Sequence, residues 1–327
     1  MRCLLFLFLL VFGADAAGAQ QMLHRRVLLM GSRFDLTVVA ANDIAGNAYL
    51  DMAIGEIARI ERLISSWDPN SQTSAINANA GIAPVRVDRE LMELIERSIA
   101  LSELTDGAFD ISYASMDNIW KFDGSMVRMP APEVVKKSVE KVGYKKIILD
   151  TKKQTVFLSQ KGMKIGFGAI GKGYAADKAK ELLMANGAVA GIINASGDMN
   201  TWGKQPDGSD WMVAITNPMN KNKAFAELPL RQGAVVTSGD YERFVEFDKV
   251  RYAHIINPQT GYPATGIISV TVFAPSAELA DALATSVFVM GKEVGIDRID
   301  QLPQVACIII DDQGAVHKSK HIRINEK

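Results

Sequence analysis

The chain has 327 residues, of which 48% are hydrophobic and 22% are charged, and its formal net charge is −1. A charge balance this close to neutral gives no support for binding to nucleic acid or to an anionic membrane surface. The length is enough for one large domain or two closely packed lobes, and the sequence contains no internal repeat and no low-complexity linker.

The first 19 residues have the three parts of an export signal. Arg2 precedes an apolar run at residues 4–12, and Ala17-Gly18-Ala19 has the small-residue pattern of a cleavage site. The apolar run is shorter than the roughly 20 residues that a membrane-spanning helix needs. We therefore predict cleavage after Ala19, export to the periplasm, and a mature domain at residues 20–327 without a transmembrane span.

The cysteine content excludes a fold held together by disulfides. The sequence contains only Cys3 and Cys307. Cys3 leaves with the predicted signal, so the mature chain cannot form an intramolecular disulfide. Cys307 stands in the apolar run at residues 305–310, which predicts an inert core thiol.

The first part of the mature chain is predicted to be mainly helical after an initial pair of strands. The strands are expected at residues 26–30 and 34–40, and the helices at 43–64, 88–105, 114–120 and 132–142. Isoleucines at positions 54, 57, 60 and 64 form one apolar face of the first helix. Asp88 is placed to cap the second helix, and a polar loop at residues 65–74 precedes it.

The second part is rich in strands. They are expected at residues 146–149, 155–158, 191–195, 211–216, 224–230, 234–237, 243–247, 252–256, 268–274 and 305–310, with helices at 174–185, 277–290 and 292–300. The strands come in runs and do not alternate strictly with helices. This order favours an α+β fold, with strand-rich mixed or antiparallel sheets flanked by helices.

A glycine-rich stretch at residues 165–177 is the first candidate for chemistry. Four glycines, at positions 166, 168, 171 and 173, precede the predicted helix at 174–185, and glycine allows the backbone to approach a ligand closely. The N–H groups at a helix start favour phosphate, and Lys172 adds a positive charge. The spacing matches neither the P-loop nor the dinucleotide-binding pattern. A tight loop packed under a sheet is the alternative.

The second candidate is a carboxylate and a hydroxyl on one helix. Asp281 and Thr285 are four residues apart, so they share a face of the predicted helix at 277–290. Their oxygens suit a hard cation such as Mg²⁺. The structural alternative is that Asp281 caps its own helix while the Thr285 hydroxyl bonds back to a helix carbonyl.

Weaker candidates lie at predicted turns and strand ends. His254, at the end of a predicted strand, has the chemistry of a general base or a phosphate donor, and the alternative is a histidine bonded to a carbonyl. Residues 196–198 and 238–240 both read Ser-Gly-Asp, which is ordinary turn chemistry that can also line a polar ligand. Trp67 and Phe109 are candidate aromatic walls, although most aromatic residues belong to a core.

Taken in order, these segments resemble the ApbE family, the FAD:protein FMN transferases. The similarity covers nearly the whole mature chain. It rests on Met30-Gly31-Ser32-Arg33-Phe34, Ser66-Trp67-Asp68-Pro69-Asn70-Ser71, Gly107-Ala108-Phe109-Asp110-Ile111, the glycine-rich stretch, Ser196-Gly197-Asp198, Thr237-Ser238-Gly239-Asp240-Tyr241, His254-Ile255-Ile256-Asn257-Pro258 with Thr260-Gly261, and Ala280-Asp281-Ala282-Leu283-Ala284-Thr285.

The resemblance implies a T-fold-related, two-lobed single domain. It also implies an exported enzyme that uses Mg²⁺ to transfer FMN from FAD to a threonine hydroxyl of an acceptor protein, releasing AMP. The implied metal ligands are the Ala169 carbonyl and the side chains of Asp281 and Thr285. His254 and Asp281 are the implied candidates for the catalytic base. The implied flavin-nucleotide contacts are Met30, Trp67, Ala108, Phe109, Asp110, Gly166, Lys172 and Ile255.

One departure from the family pattern concerns Gly166. Many members have an acidic residue at this position. The contact that this residue would make with FAD is missing here, and another side chain is expected to replace it. The chain also lacks an internal acceptor sequence of the form Asp followed by Ser/Thr-Gly-Ala-Thr, so the acceptor is expected to be a separate protein. The rival functions are a Mg²⁺-dependent FAD pyrophosphatase, an exported FAD-binding protein without chemistry, and a structural domain that binds no flavin.

Overall fold

The computed structural model describes residues 20–216, 224–230, 232–240 and 244–322. The predicted signal at residues 1–19 lies outside these ranges. So do Tyr241, the last residue of the motif at 237–241, and Arg243, the first residue of the predicted strand at 243–247. Within them, no helix is both long and apolar enough to cross a membrane.

Helices and strands are interspersed along the chain, with strands dominating after residue 186. The helices are α1 (Asp43–Ile64), α2 (Gln72–Ala78), α3 (Arg89–Leu104), α4 (Pro132–Ser138), α5 (Gly171–Ala185), α6 (Ala277–Met290) and α7 (Lys292–Asp300), with short 3₁₀ helices at Ile111–Ser115 and Tyr144–Lys146. The strands are β1 (Gln21–Leu29), β2 (Ser32–Ala40), β3 (Val85–Arg86), β4 (Ile147–Asp150), β5 (Thr155–Leu158), β6 (Ala190–Ala195), β7 (Asp198–Trp202), β8 (Trp211–Thr216), β9 (Ala224–Leu230), β10 (Gly233–Gly239), β11 (Phe244–Phe247), β12 (Val250–Ala253), β13 (Ile267–Ala274), β14 (Ala306–Asp311) and β15 (Val316–Lys318).

The main sheet has eight strands in the order β1-β2-β6-β7-β10-β13-β14-β15, and its neighbouring strands are antiparallel. Smaller sheets are formed by β3-β5-β4, β8-β9 and β11-β12. The helices α1, α5 and α6 pack against one another and against strands of the main sheet. The α+β prediction is therefore confirmed, and the sheets are antiparallel.

The longest helix forms where its sequence pattern predicts it. The Asn42 side chain accepts a hydrogen bond from the Ala45 N–H at 2.9 Å and so caps α1. Leu50, Ile57 and Ile60 are at most 1% exposed, at the three- and four-residue spacings of one helix face. This face belongs to the main hydrophobic core, which it shares with residues of α5, α6 and the sheet.

Two tight hairpins bring their turns to the same end of the main sheet. Met30 and Gly31 link β1 to β2, and Ser196 and Gly197 link β6 to β7; all four have positive φ, from 52° to 106°. Two-residue turns with this conformation match the twist of antiparallel strands. The Ser196 hydroxyl donates to the Arg33 carbonyl at 2.9 Å, so the two turns are neighbours.

Several predicted boundaries were wrong. The region at residues 114–120 is not a helix, because the chain forms a 3₁₀ turn at Ile111–Ser115 and then leaves regular structure. Asp88 makes no side-chain cap to α3 and instead accepts from the Gln72 side chain. The predicted polar loop at 65–74 contains the start of α2, which is capped by Ser71. Cys307 is fully buried, as predicted.

Candidate active site

The glycine-rich stretch is part of a helix start. The chain turns at Phe167, and α5 begins at Gly171, three residues earlier than predicted. A Cβ at Gly171 would lie 2.7 Å from Ile64 Cδ1 of α1. A Cβ at Gly173 would lie 2.5 Å from the Ala277 carbonyl carbon of α6. The two glycines therefore allow the first turn of α5 to touch both neighbouring helices.

Three charged side chains meet at this helix start. The Lys172 ammonium forms an ion pair with Asp198, the first residue of β7. Asp281, on α6, accepts a hydrogen bond from the Gly173 N–H at 3.2 Å. Asp198 is 1% exposed and Asp281 is 4% exposed. The cluster of Lys172, Asp198 and Asp281 is called the charged triad below.

The charged triad has one more negative charge than positive when all three groups are ionised. Burial and, to a lesser extent, the charge of Asp281 raise the pKa of Asp198 to about 7, against the opposing influence of Lys172. Burial also raises the pKa of Asp281, with Lys172 and the Gly173 N–H as smaller opposing influences. Burial lowers the pKa of Lys172, but Asp281 and Asp198 outweigh it and leave this pKa above the ordinary lysine value. A bound proton or cation would compensate the surplus charge.

The oxygen ligands predicted for Mg²⁺ fit this position. Asp281 points away from the start of its own helix, because α6 is capped by Ser276 and by Asp177, which accepts from the Ala277 and Glu278 N–H groups. Asp281 does not cap α6, so that structural alternative is wrong. Thr285 lies one turn further along and is half-buried, and its hydroxyl makes no hydrogen bond within the described ranges.

The site differs from a metal centre built from many charged ligands. Among the described residues, no group of three or more His, Cys, Asp or Glu side chains is arranged to hold a metal ion. The donors available are one or two buried carboxylates, a hydroxyl and main-chain carbonyls such as that of Ala169 on the turn before α5. Such a set of hard oxygen donors suits Mg²⁺, which keeps part of its shell for water or phosphate.

The predicted Gly-x-Phe-Asp segment lies next to the glycine-rich turn and is hydrogen-bonded to it. The Gly166 N–H donates to the Ile111 carbonyl at 2.9 Å. Asp110 accepts from the Ser112 N–H at 2.7 Å and from the Tyr144 N–H at 2.8 Å, so both its oxygens hold the backbone. Phe109 is 2% exposed and lies in the main core, and Ala108 is also buried. The side chains of this segment therefore shape the site without lining an open surface.

His254 lies between the end of β12 and a turn at residues 257–261. The strand β12 ends at Ala253, so the prediction of a strand through residue 256 was wrong. His254 is exposed, and its ring makes an edge-on contact with Phe122 at 6.5 Å between ring centroids. Ile255 is partly buried against the core. The turn is fixed by the Trp120 side chain, which donates to the Gly261 carbonyl at 2.8 Å.

Met30 and the loop that carries Trp67 lie beside the glycine-rich stretch, which includes Gly166. Met30 forms the tip of the β1–β2 hairpin, and its Cε would lie 3.6 Å from a Cβ at Gly171. A Cβ at Gly166 would lie 4.0 Å from Ser66 Oγ, which places the loop carrying Trp67 beside the turn. Trp67 is 93% exposed. An indole in this position is open to a planar ligand.

Two residues at the site were not among the predicted ones. Asp198 follows the Ser-Gly turn of the β6–β7 hairpin, and its motif was interpreted mainly as turn chemistry. Tyr113 lies against the glycine-rich turn, since a Cβ at Gly168 would overlap its hydroxyl. The repeated Ser-Gly-Asp motif was the only sequence feature pointing to Asp198, and nothing in the local sequence pointed to Tyr113.

Comparisons with known proteins agree with this arrangement. Residues 30–309 match the model of the ApbE family. The FAD:protein FMN transferase of Treponema pallidum is 34% identical over 291 residues, which cover 84% of this chain and 80% of that protein. The enzyme of the same name from Haemophilus influenzae is 29% identical over 265 residues, covering 78% and 77%.

Solved structures show the same fold. The ApbE protein of Thermotoga maritima superposes with a TM-score of 0.83 and 32% identity, covering 92% of this chain and 97% of that one. The flavinyl transferase ApbE of Pseudomonas stutzeri, in its apo form, gives a TM-score of 0.81 at 26% identity, covering 92% and 95%. The extent of the family match and these similarities along the chain lead to one conclusion: the protein belongs to the ApbE family.

Proposed function

We propose that this protein is an FAD:protein FMN transferase that moves FMN from FAD to a threonine hydroxyl of a separate acceptor protein, with Mg²⁺ bound and with release of AMP. The observation that carries the proposal is the charged triad at the start of α5, beside the glycine-rich turn. The transferase names of the relatives support the flavin and the acceptor protein.

The first part of the proposed mechanism is substrate binding. The positive end of the α5 helix dipole and the Lys172 ammonium favour the negative charge of the pyrophosphate. Trp67, with its exposed ring, is placed to stack on the flavin. Ala169, Asp281 and Thr285 would hold Mg²⁺, whose contribution when bound is to offset the charge that develops on the phosphate oxygens.

The second part is the transfer itself. The threonine oxygen of the acceptor forms a bond to the phosphorus of the FMN half, and the bond from that phosphorus to the bridging oxygen breaks. AMP leaves with the bridging oxygen, and the threonine proton passes to a base. His254 and Asp281 are the candidates for this base. The exposure of His254 favours it for contact with an incoming protein.

A single assay separates the proposed function from its rivals. Purified protein is incubated with FAD and Mg²⁺, with and without an acceptor domain that carries the threonine motif, and AMP and in-gel flavin fluorescence are followed. We expect AMP together with a fluorescent acceptor band. Equal AMP and free FMN in both reactions would instead establish a pyrophosphatase, and bound FAD without AMP would establish a carrier.

We also propose that the protein is exported and loses residues 1–19. The proposal rests on the charged, apolar and small-residue segments at the N-terminus. It can be tested through the thiols, because burial raises the pKa of Cys307 to about 12 and a thiol reagent requires the thiolate. At pH 8 the native protein should not react, and after unfolding it should react with one thiol per chain. Two reactive thiols would show that Cys3, and the signal, are retained.

A further inference from the structure

Tyr113 lies across the glycine-rich turn and closes one side of the site. It belongs to the 3₁₀ helix at Ile111–Ser115, which Asp110 caps and which bonds to Gly166 through the Ile111 carbonyl. A Cβ at Gly168 would overlap the tyrosine hydroxyl, and a Cβ at Gly166 would lie 3.7 Å from it. The hydroxyl therefore occupies the space that a side chain at Gly168 would need, and it lies in van der Waals reach of position 166.

The Tyr113 hydroxyl is enclosed by the protein, but part of the residue is open to solvent. Burial of the hydroxyl raises the pKa of Tyr113; the Gly168 N–H opposes the rise, and the charge of Asp281 adds a smaller contribution in the raising direction. The phenol is therefore neutral at physiological pH. The residue as a whole is 37% exposed, so a ligand bound over the turn can reach its edge.

A neutral donor is well suited to this position. The Lys172 ammonium already pairs with Asp198 and lies close to Asp281. A phosphate oxygen that approaches Asp281 meets a negative carboxylate, and a phenol can donate a hydrogen bond to that oxygen without a charge of its own that needs compensation. Within the described ranges, no protein acceptor takes the proton of the Tyr113 hydroxyl.

We propose that Tyr113 is a substrate-contacting residue whose hydroxyl donates a hydrogen bond to a phosphate oxygen of FAD over the Gly166–Gly168 turn. The inference rests on the proposed function for the identity of the ligand. It assigns Tyr113 as the side chain that replaces the contact missing at Gly166. The competing interpretation is that the hydroxyl only fills the space above Gly168.

The first test is Tyr113→Phe, which keeps the ring and removes only the oxygen. Since a hydrogen bond to a charged group is lost, we expect the Kd and KM for FAD to rise about tenfold, with an unchanged melting temperature. Tyr49→Phe is the matched control, because its hydroxyl bonds to the Asn186 carbonyl at the opposite end of α5. Wild-type values of both Kd and KM for Tyr113→Phe would overturn the proposal.

A double variant distinguishes substrate contact from space filling. Gly168 is not among the positive-φ glycines, so Gly168→Ala is limited by the clash with the hydroxyl and not by its backbone. Removing the hydroxyl relieves this clash, since the Cβ would then meet Tyr113 Cζ at 3.6 Å. If the hydroxyl binds substrate, the double variant should remain about tenfold weaker than wild type for FAD. Recovery of wild-type affinity would show that it only fills space.

Failure of the proposed function can be recognised separately. The Kd for FAD is measured by equilibrium titration without an acceptor, so it reports on Tyr113 whether or not the enzyme transfers FMN. If the wild-type protein binds FAD but releases no AMP with Mg²⁺ and acceptor, the transferase proposal fails while the Tyr113 comparison still stands.

Discussion

Asp281→Asn should lower the rate of AMP release by about 10²- to 10³-fold, because a preorganised charge at the reacting phosphate is lost. The carboxylate is buried, accepts from the Gly173 N–H and is the proposed anionic ligand for Mg²⁺. Asparagine has the same shape and can still accept that hydrogen bond. The substitution therefore removes charge while leaving the packing of α5 on α6 in place.

The same variant should be at least as stable as wild type. The pKa of Asp281 is raised in the folded protein, so this group favours folding below its unfolded pKa, and that contribution is lost as pH rises. An ionised carboxylate in this buried position is a cost that asparagine removes. Thermal melts at pH 8 without Mg²⁺ would check this, and single-turnover AMP release would check the chemistry.

The control for Asp281→Asn is Asp51→Asn, on α1. The Asp51 side chain is 70% exposed and pairs with Arg25. Its substitution removes a solvent-exposed charge and should leave AMP release unchanged. A rate for Asp281→Asn within twofold of wild type would show that Asp281 neither holds the metal nor acts as the base.

Gly173→Ala should have the largest effect on stability. The added Cβ would lie 2.5 Å from the Ala277 carbonyl carbon and 2.9 Å from the Glu278 nitrogen. Both atoms belong to the backbone of α6, so no side-chain rotation relieves the overlap. Separating the two helices should cost about 3 kcal/mol, which corresponds to a melting temperature lower by roughly 6–12 °C.

Activity should fall with Gly173→Ala as well, because the Gly173 N–H and Asp281 move apart with the helices. Gly55→Ala in α1 is the matched control. Its Cβ would meet no atom within 4 Å, and alanine favours a helix by about 1 kcal/mol relative to glycine. The control should therefore melt at or above the wild-type temperature. Equal melting temperatures for Gly173→Ala and wild type would refute the close contact of α5 with α6.

The sequence predicted elements best where pattern and cap agree. The bounds of α1 and α6 were predicted correctly, because each has an apolar face and a capping residue, Asn42 or Ser276. By contrast, β7 was missed because its sequence is polar. Asn200 and Thr201 are buried there because other elements satisfy their polar groups. The Lys180 side chain, from α5, donates to the Asn200 side chain and to the Thr201 carbonyl. The Asn200 amide donates to Asp177, and the Thr201 hydroxyl donates to the Gly233 carbonyl. Such compensation depends on tertiary contacts that no local pattern contains.

The same limit applies to the site. Lys172 and Asp281 were predicted as site residues, because the glycine-rich stretch and the Asp-x-x-x-Thr spacing are recognisable in the local sequence. The structure brings the two side chains together. Tyr113 was not found, because its proposed role depends on the absence of a side chain at Gly168, where a Cβ would overlap the hydroxyl. A role that depends on a glycine in a distant segment can be recognised only in the folded structure.

The strand order of the main sheet has a consequence for the timing of assembly. From β1 to β15 the order in space follows the order in the chain, so each later strand joins an edge that earlier strands have already made. The widest interval, residues 41–189 between β2 and β6, is the costliest to close. Asp281, however, comes after β13. A chain that emerges from its N-terminus can therefore build most of the sheet while it still lacks Asp281, so the proposed site should be completed only after most of the sheet has formed.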